Sequence, residues 1–124
     1  MSVTFASNLT LDKEIALKKD IQKKILVKYG SSERLFTFRW TLYKNGGLVT
    51  HRSYDRIVAQ NILYLRAQNQ SFRLELKPRG ADAFNVPYIL VKFKKFDFEK
   101  KEAVFDIFLS DDKSQISLTY LKNS

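Results

Sequence analysis

Apolar and polar residues alternate along most of the chain, and an alternation of period two predicts β-strands. The clearest run spans residues 34–44, and the segment Asn45-Gly46-Gly47 that follows it is typical of a hairpin turn. A return strand then begins at Leu48. The pattern therefore predicts a strand, a turn and a second strand, in which four large side chains face the core: Phe36, Phe38, Trp40 and Leu42.

Residues 12–28 permit two interpretations. As a helix, Leu17, Ile21 and Ile25 would stack at intervals of four positions, but Lys18 would interrupt that apolar stripe. As strands, most apolar residues fall on odd positions and most charged residues on even ones. We favour two strands with a turn near residues 19–22, and the helix stays open as the alternative.

The alternation changes phase between residues 88 and 98. A β-bulge inserts one extra residue into a strand, and a bulge near Lys94-Lys95 would return both sets of apolar side chains to one face. The sequence therefore predicts one long bulged strand with these inward residues: Ile89, Val91, Phe93, Phe96 and Phe98.

The whole pattern predicts an all-β fold. About seven to nine short strands follow one another at intervals of roughly 8–12 residues, which is typical of an antiparallel β-sandwich of the immunoglobulin-like type. A small β-barrel is the alternative. The length of 124 residues and the absence of any linker composition predict a single domain over residues 1–124.

Composition adds a strong positive charge. Apolar residues make up 44% of a chain with a net charge of +9, so we expect a folded, basic domain. Such a domain can meet nucleic acid, anionic lipid headgroups or acidic glycans. Cysteine is absent, which excludes disulfides and thiol chemistry, and no apolar run reaches the roughly 18 residues of a membrane helix.

Candidate catalytic chemistry is sparse. The single histidine, His51, lies in a predicted strand, and no Gly-x-Ser-x-Gly motif or glycine-rich phosphate loop accompanies it. Asp111 and Asp112 lack the regular spacing of a calcium loop and are typical of a turn. We therefore expect a protein that is not an enzyme and that holds neither a metal nor a cofactor.

Candidate binding residues lie in the longest irregular stretch, which runs from Pro78 to Pro87. Loops on a rigid β-scaffold commonly carry binding residues. The sequence therefore predicts a binding site at this loop and at the start of the next strand, formed by Arg79, Asp82 and Tyr88.

Aromatic and basic residues are also interleaved, as in Phe38-Arg39-Trp40 and Phe93-Lys94-Lys95-Phe96. Proteins that bind single strands combine such residues, because bases stack on aromatic rings. Strict alternation would send the rings inward and the cations outward, so nucleic acid is the less favoured partner. A cytosolic nucleic-acid-binding barrel is therefore the second hypothesis, and the rings expected at the surface are Tyr43, Tyr54, Tyr64 and Tyr88.

The run Phe38-x-Trp40-x-Leu42-Tyr43-Lys44-Asn45-Gly46-Gly47-Leu48-Val49, followed by Tyr54-Asp55 and by residues 105–111, resembles small bacterial envelope lipoproteins with a variant immunoglobulin-like sandwich. The resemblance implies a non-enzymatic module for adhesion or surface assembly, which contacts protein or acidic glycan at the periplasm or the outer-membrane surface. Those lipoproteins begin with a lipid-bearing cysteine, whereas Met1-Ser2 stands here. For an envelope protein, we expect the export signal and the lipid anchor to lie outside this sequence; a cytoplasmic location is the alternative.

Overall fold

The computed structural model describes residues 9–76, 86–110 and 115–122. The long regular elements in these ranges are nine β-strands. They are β1 (Thr10–Lys18), β2 (Lys23–Tyr29), β3 (Ser32–Lys44), β4 (Gly47–Tyr54), β5 (Ile57–Tyr64), β6 (Ser71–Glu75), β7 (Tyr88–Asp97), β8 (Glu102–Leu109) and β9 (Ile116–Tyr120).

The strands form two antiparallel sheets. One has four strands in the order β1-β8-β7-β6, and the other has five in the order β5-β4-β3-β2-β9. Within the described ranges no strand pairs across the two sheets, so they form a sandwich and the predicted barrel alternative is wrong. Residues 12–28 form most of β1, a turn and most of β2, which confirms the strand interpretation and excludes the helix. The described residues include no helix of the length and apolarity that would span a membrane.

The core lies between the sheets and contains the inward side chains of both. Phe38 of β3 meets Phe105 of β8 edge to face, with 5.3 Å between ring centroids. Phe93 of β7 lies 6.0 Å from Phe105 and is fully buried. Burying a large apolar side chain contributes about 1.5–3 kcal/mol. The contact of Phe38 with Phe105 joins the two sheets, and the neighbouring Phe93 ring extends the same core within the four-stranded sheet.

A β-bulge at Thr41 changes the predicted face of two residues. The β3–β4 register shifts between Trp40 and Leu42. Trp40 stays in the core at 4% exposure, but Leu42 is 47% exposed and Tyr43 packs against the core instead. The prediction that Leu42 belongs to the core ridge is therefore wrong, and so is the prediction that Tyr43 lies on the outer face.

A second bulge, at Lys94, confirms the prediction of a phase change in β7. The β7–β8 register shifts between Phe93 and Lys95. Phe96 then packs against the core, as predicted. Phe98 lies past the end of β7 and is 71% exposed, so the prediction of an inward Phe98 is wrong.

Polar side chains link the two sheets at both sides of the sandwich. On one side, the Tyr120 hydroxyl of β9 donates to the Asp12 carboxylate of β1 at 2.6 Å, and a third bulge places Asp12 there. On the other side, the Arg52 guanidinium of β4 donates to the Arg73 carbonyl of β6 at 3.3 Å. Each link connects an inward residue of the five-stranded sheet with the edge strand of the four-stranded sheet.

The Tyr120 link predicts a loss of stability at high pH. Burial, followed by the hydrogen bond to Asp12, raises the pKa of Tyr120. Its contribution to stability is complete below the unfolded tyrosine pKa of about 10 and is lost as the pH rises from there toward the folded pKa. We expect the free energy of unfolding to fall more steeply above about pH 10 in the wild type than in Tyr120→Phe. Urea unfolding across a pH series measures this, and equal slopes in the two proteins would contradict it.

Candidate functional site

An open groove of about 600 Å³ lies at one end of the sandwich, where β1, β3 and β7 end. The turn between β7 and β8 completes it. Its lining is unusual in combining large apolar side chains with lysines and no acidic residue. We call it the aromatic groove, and its lining consists of Trp40, Leu42, Tyr43, Phe96 and Phe98 together with Lys18, Lys19, Lys100 and Lys101.

The rings of the aromatic groove support one another. Phe96 stacks on Tyr43 with 4.3 Å between centroids and 14° between planes, and it meets Trp40 edge to face at 5.5 Å. Phe98 lies 5.0 Å from Phe96 and extends the cluster to the surface. Such ring pairs contribute about 0.5–1.5 kcal/mol each beyond burial. The rings of Trp40, Tyr43 and Phe96 are thus held in place by one another, whereas most of the Phe98 side chain is exposed.

The turn that carries Phe98 is fixed by an acidic side chain. The Asp97 carboxylate accepts hydrogen bonds from the backbone N–H groups of Glu99 and Lys100, both at 3.1 Å. An aspartate that accepts from the backbone two and three residues on stabilises a tight turn. Lys101 completes the turn with a φ of 55°. The sequence around Asp97 therefore holds Phe98 and both turn lysines beside the groove.

The opposite wall is fixed by the turn between β1 and β2. The Asp20 N–H donates to the Trp40 carbonyl at 2.9 Å, and the Ile21 N–H donates to the Lys18 carbonyl at 3.2 Å. The Trp40 indole N–H donates to the Leu17 carbonyl at 2.7 Å. These bonds tie the turn that carries Lys18 and Lys19 to the tryptophan.

The charge of the aromatic groove is not neutralised by the described part of the chain. Lys18, Lys19, Lys100 and Lys101 are exposed, and no described carboxylate lies within ion-pairing distance of them. The nearby Asp20 pairs with Arg39 at 3.7 Å. Positive charges collected at one end of a protein raise the local concentration of anions. The groove is therefore suited to an anionic ligand with an apolar or planar face.

The predicted loop site is only partly described. Tyr88 begins β7. Its backbone N–H donates to the Ser110 hydroxyl oxygen at 3.3 Å, and its ring centroid lies 3.6 Å from the Arg73 guanidinium carbon. Tyr88 does not line the aromatic groove. Arg79 and Asp82 lie outside the described residues, so the loop site stays a prediction.

His51 is not part of the aromatic groove. His51 lies on the outer face of the five-stranded sheet, where its Nε2 is 3.2 Å from the Thr41 hydroxyl oxygen. The described residues contain no cluster of three acidic, histidine or cysteine side chains that could hold a metal ion. Asp111 and Asp112 lie outside the described ranges.

No protein-family model matches this chain. Comparisons with curated proteins and with solved structures found no significant match either. A β-sandwich carries many unrelated functions, so function has to be inferred from the surface of this molecule. The aromatic groove, with its exposed ring and its four lysines, is the feature that supports a function best.

Proposed function

We propose that the protein is a non-enzymatic binding module that holds an acidic glycan in the aromatic groove. The observation that carries the proposal is the exposed ring of Phe98 beside four lysines that no described carboxylate neutralises. Sugar rings present C–H groups, which suit the negative face of an aromatic ring. Carboxylate or sulfate groups on the same ligand would pair with Lys100 and Lys101 on one side and with Lys18 on the other.

Single-stranded nucleic acid is the second candidate ligand. Strict alternation would separate rings from cations, but the bulges at Thr41 and Lys94 and the exposed turn bring both onto one surface. Bases that stack on exposed rings gain roughly 1–3 kcal/mol each. Phe98 is the ring that is open for such stacking.

A binding assay at several salt concentrations tests the proposal. The ligands are an oligosaccharide with uronic acid and sulfate groups, and a single-stranded oligothymidylate. The variants are Phe98→Ala and the double variant Lys100→Gln/Lys101→Gln. We expect glycan binding that each variant weakens by about tenfold or more, which corresponds to about 1.4 kcal/mol. Preferential binding of the oligonucleotide would select the second candidate, for which the double variant should lower the salt slope by about 1.4.

The matched control removes the same charge from the other end of the sandwich. Lys28 and Arg56 lie at the turns opposite the aromatic groove, and both are exposed. The variant Lys28→Gln/Arg56→Gln should therefore bind almost as the wild type does. Equal losses in the two double variants would show that net charge, and not the groove, holds the ligand. Failure of both ligands to bind at low salt would refute the proposal.

We further propose that this module acts at a bacterial envelope, in the periplasm or at the outer-membrane surface. The two-sheet sandwich and the resemblance to small envelope lipoproteins support this location, and adhesion or surface assembly through an acidic glycan or a protein would fit it. A lipid-bearing cysteine encoded ahead of the present sequence would be the membrane anchor. Reading the complete coding sequence tests this: a gene without any export signal would favour the cytoplasm.

A further inference from the structure

Strand β5 forms one edge of the five-stranded sheet, since its described pairing is with β4 alone. Its sequence, Ile-Val-Ala-Gln-Asn-Ile-Leu-Tyr, contains no charge, proline or glycine. Proteins usually protect an edge strand with such residues, because its free backbone groups can pair with another chain. Ile57 and Val58 are 70% and 75% exposed. The first half of β5 therefore carries no charge, proline or glycine that would hinder strand addition.

Two hydrogen bonds reveal which backbone groups of β5 face away from β4. The Tyr64 N–H donates to the Asn69 carbonyl at 3.2 Å, and the Ile62 carbonyl accepts from the Asn69 amide at 3.3 Å. The β4–β5 register is continuous, and alternate residues of an antiparallel strand direct both backbone groups to the same side. Val58 and Gln60 therefore point their N–H and C=O groups outward as well, and no described group bonds to them.

A cleft of about 420 Å³ lies beside this edge, between the two sheets. Arg52 crosses it, with its guanidinium 4.4 Å from the Phe72 ring centroid and bonded to the Arg73 carbonyl. Burial lowers the pKa of Arg52, and no described carboxylate forms an ion pair with it. The acidic residue in the lining, Glu75, lies 3.9 Å from the Arg73 guanidinium. The cleft thus contains a half-buried cation beside an open edge.

We propose that the β5 edge binds an extended peptide in which apolar and acidic residues alternate. The peptide would add a strand through the backbone groups of Val58 and Gln60, which is a common mode of peptide recognition. Side chains on one face would enter the cleft, where a carboxylate meets Arg52. Those on the other face would cover Val58. This site is separate from the aromatic groove and does not depend on the function proposed for it.

Charge complementarity favours this occupant over a second copy of the chain. Two copies with a net charge of +9 each would repel one another, and self-pairing of an uncharged strand would bring no carboxylate to the cleft. An acidic peptide offsets the protein charge and supplies a carboxylate to Arg52, which has no such partner among the described residues. We therefore expect the added strand to come from an acidic peptide and not from a second copy of the chain.

Calorimetric titration with a capped heptapeptide of alternating valine and glutamate tests the proposal. We expect saturable binding that weakens about tenfold or more when glutamine replaces glutamate, because the charged partner of Arg52 is then lost. N-methylation of the peptide edge that faces β5 should abolish binding. The protein variant Gln60→Pro should also abolish it, because proline removes an outward N–H.

A folding control and a second variant keep the test decisive. Gln60→Pro should keep the far-ultraviolet circular dichroism spectrum and the cooperative unfolding of the wild type, and Val58→Pro provides the same test at the other outward position. Two results would overturn the proposal: absence of peptide binding to the wild type, or binding to Gln60→Pro and Val58→Pro that is as strong as binding to the wild type. Concentration-dependent dimerisation of the wild type that Gln60→Pro prevents would overturn it in favour of a second copy.

Discussion

Replacing Trp40 with alanine is expected to lower the free energy of unfolding by about 3–5 kcal/mol. The indole is 4% exposed and meets the edge of Phe96 at 5.5 Å, so its removal leaves a cavity under the aromatic groove. The substitution also removes the donor to the Leu17 carbonyl, and an unpaired buried carbonyl costs about 1–3 kcal/mol. Urea unfolding followed by far-ultraviolet circular dichroism measures the change, because this signal does not depend on the tryptophan.

Leu42→Ala is the matched control, since strict alternation would place Leu42 beside Trp40 in the core. With Leu42 47% exposed, we expect its truncation to cost less than about 1.5 kcal/mol. Tyr43→Ala should cost more than Leu42→Ala, because Tyr43 stacks on Phe96. A Leu42 variant as destabilised as the Trp40 variant would contradict the bulge at Thr41.

Ala59→Pro is expected to lower the free energy of unfolding by roughly 2–4 kcal/mol, whereas Gln60→Pro should cost far less. The two residues are neighbours in β5, but the backbone N–H of Ala59 faces β4 and that of Gln60 faces outward. Proline at residue 59 removes a hydrogen bond to β4, whereas proline at residue 60 removes only an N–H group that has no partner among the described residues. Thermal and urea unfolding of both variants measure the difference.

Equal destabilisation by the two prolines would contradict the assigned direction of the β5 backbone groups. Amide hydrogen exchange in the wild type supplies a check that needs no substitution. The Ala59 amide should exchange slowly because it is bonded within the sheet, and the Gln60 amide should exchange quickly because it faces solvent.

The architecture could be predicted from sequence because the buried residues of most strands alternate with exposed ones. The bulge in β7 could be predicted from the same alternation. Phe93 has an odd number and Phe96 an even one, so both can face inward only if one extra residue lies between them. The bulge in β3 left no such trace. Leu42 and Tyr43 are both large and largely apolar, so the pattern fits the core equally well in either register.

The aromatic groove could not be predicted from sequence because its residues are distant along the chain. Lys18, Trp40, Phe96 and Lys101 come together only through the pairing of β1 with β8 and the stacking of the sheets. One local signal was present: Phe98 lies shortly after the bulge of β7 and precedes the Lys100-Lys101 pair. The sequence pointed instead to the loop of Arg79 and Asp82, because irregular stretches are easy to recognise and surfaces built from several strands are not.

The bulge at Thr41 brings both Trp40 and Tyr43 to the interior although they lie three residues apart, a spacing that simple alternation would place on opposite faces. Loss of the Thr41 codon would make this spacing even, so both rings would still face inward in a strand without the bulge. Loss of the Thr37 codon, which lies between the inward residues Phe36 and Phe38, would instead place those two rings on opposite faces. Where a one-residue deletion falls in this strand therefore decides whether the inward set of rings is preserved.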